Sequence, residues 1–293
     1  MNNVTLESDV SEEPESFDRN NNKTSQQKFL FSLARAFGGA LLFALPMLMT
    51  VEIWELGLYI YPLRLALFLL LAIPLLTGFS WYSGFKATNG LKEDLIDAFV
   101  AYAVGFCTSA IALALLTIVG KKTSAAGIVA MVSLQAVPAS IGALLAQSQF
   151  GNYARQEKKK QAEAGYWGEI FLMIAGAVFF AFNLAPGDEV VIIGYKMTAW
   201  NITVIAILSL VLMHAFVYSL QFREQESSTP DTPFGQTFFR FTVVGYAIAL
   251  LMSFYILWTF GRTDGLSVER NLVNVIILAF PATIGAAVTR LIL

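Results

Sequence analysis

From residue 29 to the last residue, apolar runs long enough to cross a bilayer follow one another with only short breaks. A helix that crosses the hydrocarbon core needs about 20 residues. Eight such runs lie near 29–54, 60–83, 94–119, 124–148, 166–186, 196–221, 236–260 and 268–291. Inside hydrocarbon every backbone N–H and C=O must be bonded within the protein, which leaves only helices and closed barrels. The runs are continuous rather than alternating, so a barrel is excluded. The expected fold is all-α: a polytopic membrane helical bundle of about eight transmembrane helices. Composition agrees, with 56% hydrophobic and 14% charged residues, against about 25% charged in soluble domains.

Several function classes fall away on the same counts. A net charge of -2 gives no electrostatic basis for a nucleic-acid partner. One Cys and one His exclude a disulfide framework and a Cys- or His-cluster metal site. The sequence has no HExxH, GxSxG, Walker A or dinucleotide fingerprint, so neither catalysis nor a cofactor is expected. The identity of any metal stays open.

Residues 1–28 are rich in Asn, Ser and Glu and have no apolar run, which reads as a disordered tail. Orientation follows from Lys and Arg. Arg35, Lys86, Lys92, Arg223, Arg240 and the run Arg155, Lys158, Lys159 and Lys160 fall on the side of the N-terminus. Only Arg64, Lys121, Lys122, Lys196, Arg262 and Arg270 fall on the other. Both termini are therefore expected in the cytoplasm, with 149–165 a basic cytoplasmic linker that could also meet anionic headgroups.

The chain also resembles itself at a spacing of roughly 140 residues. Residues 136–146 (AVPASIGALLA) match 279–289 (AFPATIGAAVT). Gly39, Ala40, Phe43, Ala44 and Glu52 match Gly176, Ala177, Phe180, Ala181 and Glu189 without a gap. Tyr82 and Ser83 match Tyr218 and Ser219, and Tyr102 and Ala103 match Tyr246 and Ala247. The longer loop at 227–233 accounts for the change of offset. The reading is two four-helix parallel repeats, 29–148 and 166–293. An even number of spans per unit sets the two in the same orientation, about a pseudo-two-fold axis along the membrane normal.

The repeat points to candidate residues. Glu52 and Glu189 occupy equivalent places near the outer ends of spans one and five. Facing the axis, they would form a proton or cation site; in the headgroup region they would only mark helix ends. Asn183, below Glu189, and His214, within span six, are further ion-binding candidates or hydrogen-bonded structural residues. Pro138, Ser140 and Gly142 in span four, matched by Pro281, Thr283 and Gly285 in span eight, are pathway or hinge candidates, with a kink expected in both helices. Asp94 and Asp97 open span three, where acids suit the helix dipole. Gln135, Thr108 and Ser109 are mid-span polar residues that either line a cavity or cross-link helices.

Through FGGALLFALPMLMTVEIW and LAFPATIGAAVTRLIL, the chain resembles an uncharacterised bacterial family of multi-spanning integral membrane proteins over most of 29–293. That resemblance implies a bacterial inner-membrane protein and transfers no functional residue. On the repeat and the buried polar groups, the expected function is transport of a small ion, a cation or proton rather than an anion, by a channel or secondary carrier. The alternative is a non-transporting scaffold or sensor that binds partners through its tail and basic loop. The bilayer is the expected partner, and a homo-oligomer is compatible with the pattern.

Overall fold

The computed structural model describes residues 15–83, 90–120, 123–150, 154–225 and 238–292. Its elements are α1 (Glu15–Leu48), α2 (Val51–Tyr59), α3 (Pro62–Ser83), α4 (Leu91–Leu115), α5 (Ala125–Phe150), α6 (Ala154–Leu184), α7 (Glu189–Lys196) and α8 (Ala199–Gln225). A π-helical segment, Phe238–Val243, then runs into α9 (Val244–Thr259), and α10 (Val268–Ile292) closes the chain. No strand occurs among the described residues. Eight helices carry segments long and apolar enough to cross a membrane, from Leu30–Leu48 to Val268–Thr289.

The first apolar run departs from its expected course. Residues 29–54 are not one span: α1 stops at Leu48 and α2 begins at Val51. Pro46 sits in the last turn of α1. Thr50 is extended, its hydroxyl donates to the Met47 carbonyl (2.8 Å), and the Trp54 indole donates to the Leu48 carbonyl (3.0 Å). The exposed carbonyls of the helix end are thus capped by side chains that follow it. In the second half, α6 stops at Leu184, two residues before Pro186, and α7 restarts after Asp188.

The tail and linker differ as well. Helix α1 reaches back to Glu15, into the segment read as disordered, while residues 1–14 lie outside the described residues. Between α5 and α6 only 151–153 are not described, and the one internal break in α6 is Gly165 (φ 56°, ψ -151°). The side chains of the basic run 155–160 and the loop 227–233 also lie outside the described residues.

Each half is built around one helix. In the first, α1, α2, α3 and α4 all pack on α5, which is 78% buried along its span. In the second, α6, α7, α8 and α9 all pack on α10. The halves meet through α3, which lies against α6 and α9, and through α5 against α6. Phe68 stacks on Phe182 (5.3 Å), and Phe260 closes on both rings (6.3 and 5.1 Å). Arg64 clasps Asp264 through two bonds (2.8 and 2.9 Å) and lies over Trp258. The docking is not reciprocal. Among the described residues, helix α8 has no packing on α1 or α4 comparable to that of α3 on α6 and α9, and its span is only 17% buried.

Candidate functional site within the bundle

The interior is organised by two glycine contacts. Helix α1 crosses α5 where Gly39 meets Gly142. A Cβ on either would fall under 3.0 Å from the other's carbonyl oxygen, and one on Gly142 would lie 2.5 Å from the Phe43 Cβ. Helix α6 crosses α10 in the same way at Gly176 and Gly285, with Phe180 in the place of Phe43. Without hydrophobic drive between helices in lipid, such small-residue contacts are what association rests on. A second matched pair lies outward: Gly57 faces Met131, and Gly194 faces Asn274.

Pro138 and Pro281 follow these contacts into the span centres, and both helices run unbroken through them. Each proline frees the carbonyl four residues before it, that of Leu134 or Ile277. The neighbouring hydroxyls do not take those carbonyls. Ser140 donates to the Ala136 carbonyl (2.5 Å) and Thr283 to that of Ala279 (2.6 Å), both bonds fully buried.

Polar groups gather where α4 meets α5. Gly105 brings α4 onto α5 so closely that a Cβ there would lie 2.5 Å from the Ala136 carbonyl and 3.0 Å from the Ser140 nitrogen. The helices run antiparallel, so one turn along α4 to Thr108 and Ser109 corresponds to one turn back along α5 to Gln135. Thr108, Ser109 and Gln135 are 2%, 0% and 1% exposed. Neither hydroxyl and neither amide atom of Gln135 has a hydrogen-bond partner. In the second half the Ser253 hydroxyl and the Asn274 amide nitrogen are likewise buried without partners. Natural proteins leave very few buried polar side chains unbonded, and each such group calls for an account.

The other candidates are held apart from this set. Glu52 and Glu189 sit in the first turns of α2 and α7, each on its own half. Glu52 is half-buried and Glu189 exposed. Beside Glu189, Arg262 binds the neighbouring Asp188 and the Pro186 carbonyl, and Arg270 donates to the Gly194 carbonyl (3.2 Å). Asn183 donates to the Phe179 carbonyl of its own helix (2.7 Å). His214 Nδ1 lies 3.1 Å from Thr242 Oγ1, against the rings of Phe238 and Tyr218. Asp94 and Asp97 are buried at the start of α4. Among the described residues no three His, Cys, Asp or Glu come together in a metal-ligating group.

Eight membrane-length helices, packed through glycines around an apolar core that holds a few buried polar side chains, make this a polytopic α-helical integral membrane protein. The chain belongs to the family described as "Putative integral membrane protein (DUF2391)", whose profile matches residues 32–293. No curated protein and no solved structure matches it.

Proposed function

We propose that the protein is a channel or secondary carrier for a small cation or proton, a non-enzymatic transporter made of two copies of one helical unit. It lies in the bacterial plasma membrane with both termini in the cytoplasm. The observation that carries this reading is Gln135: an amide at mid-membrane depth, 1% exposed, with neither atom bonded. Thr108 and Ser109 stand level with it. Each unbonded buried group costs about 1–3 kcal/mol, which a passing ion or its water would repay.

The donor chemistry narrows the cargo. Amide and hydroxyl oxygens suit a monovalent cation or a hydrated proton, whereas a dedicated divalent site would gather carboxylates. Glu52 and Glu189 lie at the outer rim, where acidic groups raise the local cation concentration. The matched contacts Gly39–Gly142 and Gly176–Gly285, and the shared ring of four helices around α5 and α10, support the duplicated unit.

The test is flux into proteoliposomes under potassium, sodium, proton and calcium gradients, with Gln135→Leu and Glu52→Gln/Glu189→Gln beside the wild type. Gln135→Leu replaces unbonded polar atoms by carbon, so the variant folds with at least wild-type stability. Its flux falls about tenfold or more, the loss that follows from about 1.4 kcal/mol of binding. The Glu pair lowers flux without abolishing it. Wild-type protein that moves none of these cations would overturn the reading. Undiminished flux through Gln135→Leu would remove the site.

A further inference from the structure

Where the halves meet, α3 and α9 stand apart above α6 and enclose a cavity of about 570 Å³. That is within the range of about 300–1,000 Å³ typical of small-molecule sites. Its wall includes Leu71 and Leu75 of α3, Phe171 and Ile174 of α6, and Leu251 and Tyr255 of α9. At the mouth Leu71 is 45% exposed and Leu251 62%. Every one of these residues lies inside a membrane-length span, so the mouth faces hydrocarbon. Tyr255 is the single lining residue with a polar side-chain group, and its hydroxyl oxygen is buried away from the cleft.

We infer that this cleft is a lipid site, which takes one acyl chain of a diacyl membrane lipid. Three observations select that occupant. Water does not settle in a cavity with apolar walls, and an empty one would forfeit the dispersion contacts of its lining. The lateral mouth at bilayer depth admits what the bilayer core supplies, which is hydrocarbon. The position of Tyr255 sets the leaflet. It lies one turn below Thr259, the last residue of α9, at the end of the bundle opposite the N-terminus. An acyl chain of a lipid in that leaflet runs down past Leu251 and Phe171. Arg64 at the same end is already held by Asp264, so the headgroup is not what the site selects. The chain would fill the junction on which the halves depend, and this holds whether or not the protein transports an ion.

The test is photocrosslinking in proteoliposomes with a phosphatidylcholine carrying a diazirine on one acyl chain, mapped by peptide mass spectrometry. Label concentrates on peptides that contain residues 68–75 and 251–255 and is displaced by excess unlabelled lipid. Leu251→Trp, placed at the exposed mouth where the larger ring does not disturb packing, lowers that labelling about fivefold or more, equivalent to about 1 kcal/mol of affinity. Ala66→Trp, exposed on α3 outside the cleft, leaves it unchanged. Label spread evenly over exposed faces such as that of α8, or labelling indifferent to Leu251→Trp, would overturn the assignment.

Discussion

Gly142→Ala tests the packing that holds the first half together. One methyl group is added to α5 at its crossing with α1. It would meet the Gly39 carbonyl below 3.0 Å and the Phe43 Cβ at 2.5 Å. The first obstacle is backbone and cannot rotate aside, so the helices must part. Overpacking of this kind costs about 1–3 kcal/mol, at times more. Alanine recovers about 1 kcal/mol of helix propensity over glycine. The net loss is about 0–2 kcal/mol, and at roughly 2–4 °C per kcal/mol the midpoint falls by up to about 8 °C, whereas Gly38→Ala keeps the propensity gain alone. Gly285→Ala meets the same geometry with the Gly176 carbonyl and the Phe180 ring, and should lose as much. The two sites lie in separate halves, so the double variant loses about the sum. Gly38→Ala is the control, because a Cβ there finds nothing within 4 Å. The assay is thermal unfolding of purified protein in mild detergent. A Gly142→Ala midpoint equal to that of Gly38→Ala would refute the reasoning, since the close approach would then carry no constraint.

Two further outcomes follow from the junction. Hydrogen bonds from Arg64 hold the Asp264 carboxyl below the usual carboxylate range. A depressed acid stabilises the fold above its unfolded pKa of about 3.9 and loses that contribution as pH falls through the lower folded value. Unfolding midpoints of wild type and Asp264→Asn should therefore differ by a constant amount at neutral pH and converge below about pH 4. The gap is about 1 kcal/mol at most, because the Asp264 side chain is 58% exposed. Phe182→Leu removes ring contacts to Phe68 and Phe260, each worth about 0.5–1.5 kcal/mol beyond area burial. It should speed proteolysis between the halves while helicity by circular dichroism stays unchanged.

The eight spans were legible because length and hydropathy decide them locally. The break after α1 was not, although its signals were present: Pro46, Thr50 and Trp54 stand within a stretch whose apolar character never lapses. Once that break exists, Glu52 and Glu189 open short helices at the rim and no longer end spans. Gly39, Gly142, Gly176 and Gly285 were all visible as repeat markers. Which glycine faces which is a tertiary fact, fixed only when α1 and α5 cross. Gln135, Thr108 and Ser109 could be named as mid-span polar residues, but lacking a partner is a property of the packed bundle. The sequence contains no sign of the cleft beside Leu251, since it exists only through the one-sided approach of α3 to α9.

That one-sidedness explains how similar interiors coexist with different outer faces. Inside each half the crossings are backbone against backbone, so only glycine serves and the matched positions keep it. At the junction the contacts are side chain on side chain, and the counterparts are free to differ. Under the proposed duplication, Phe68, Phe182 and Phe260 would correspond to Val204, Leu45 and Leu116, and Asp264 to Gly120. Those three aliphatic residues are 43%, 38% and 42% exposed. Rings that stack at the junction are thus replaced, on the faces left open, by branched aliphatic side chains that acyl chains solvate equally well. The aromatic set together with Arg64–Asp264 makes one docking geometry favourable and leaves its mirror without a partner. Phe68 belongs both to the ring cluster and to the wall of the cleft, so a change that loosens the Phe68–Phe182–Phe260 cluster should weaken lipid retention together with the junction itself.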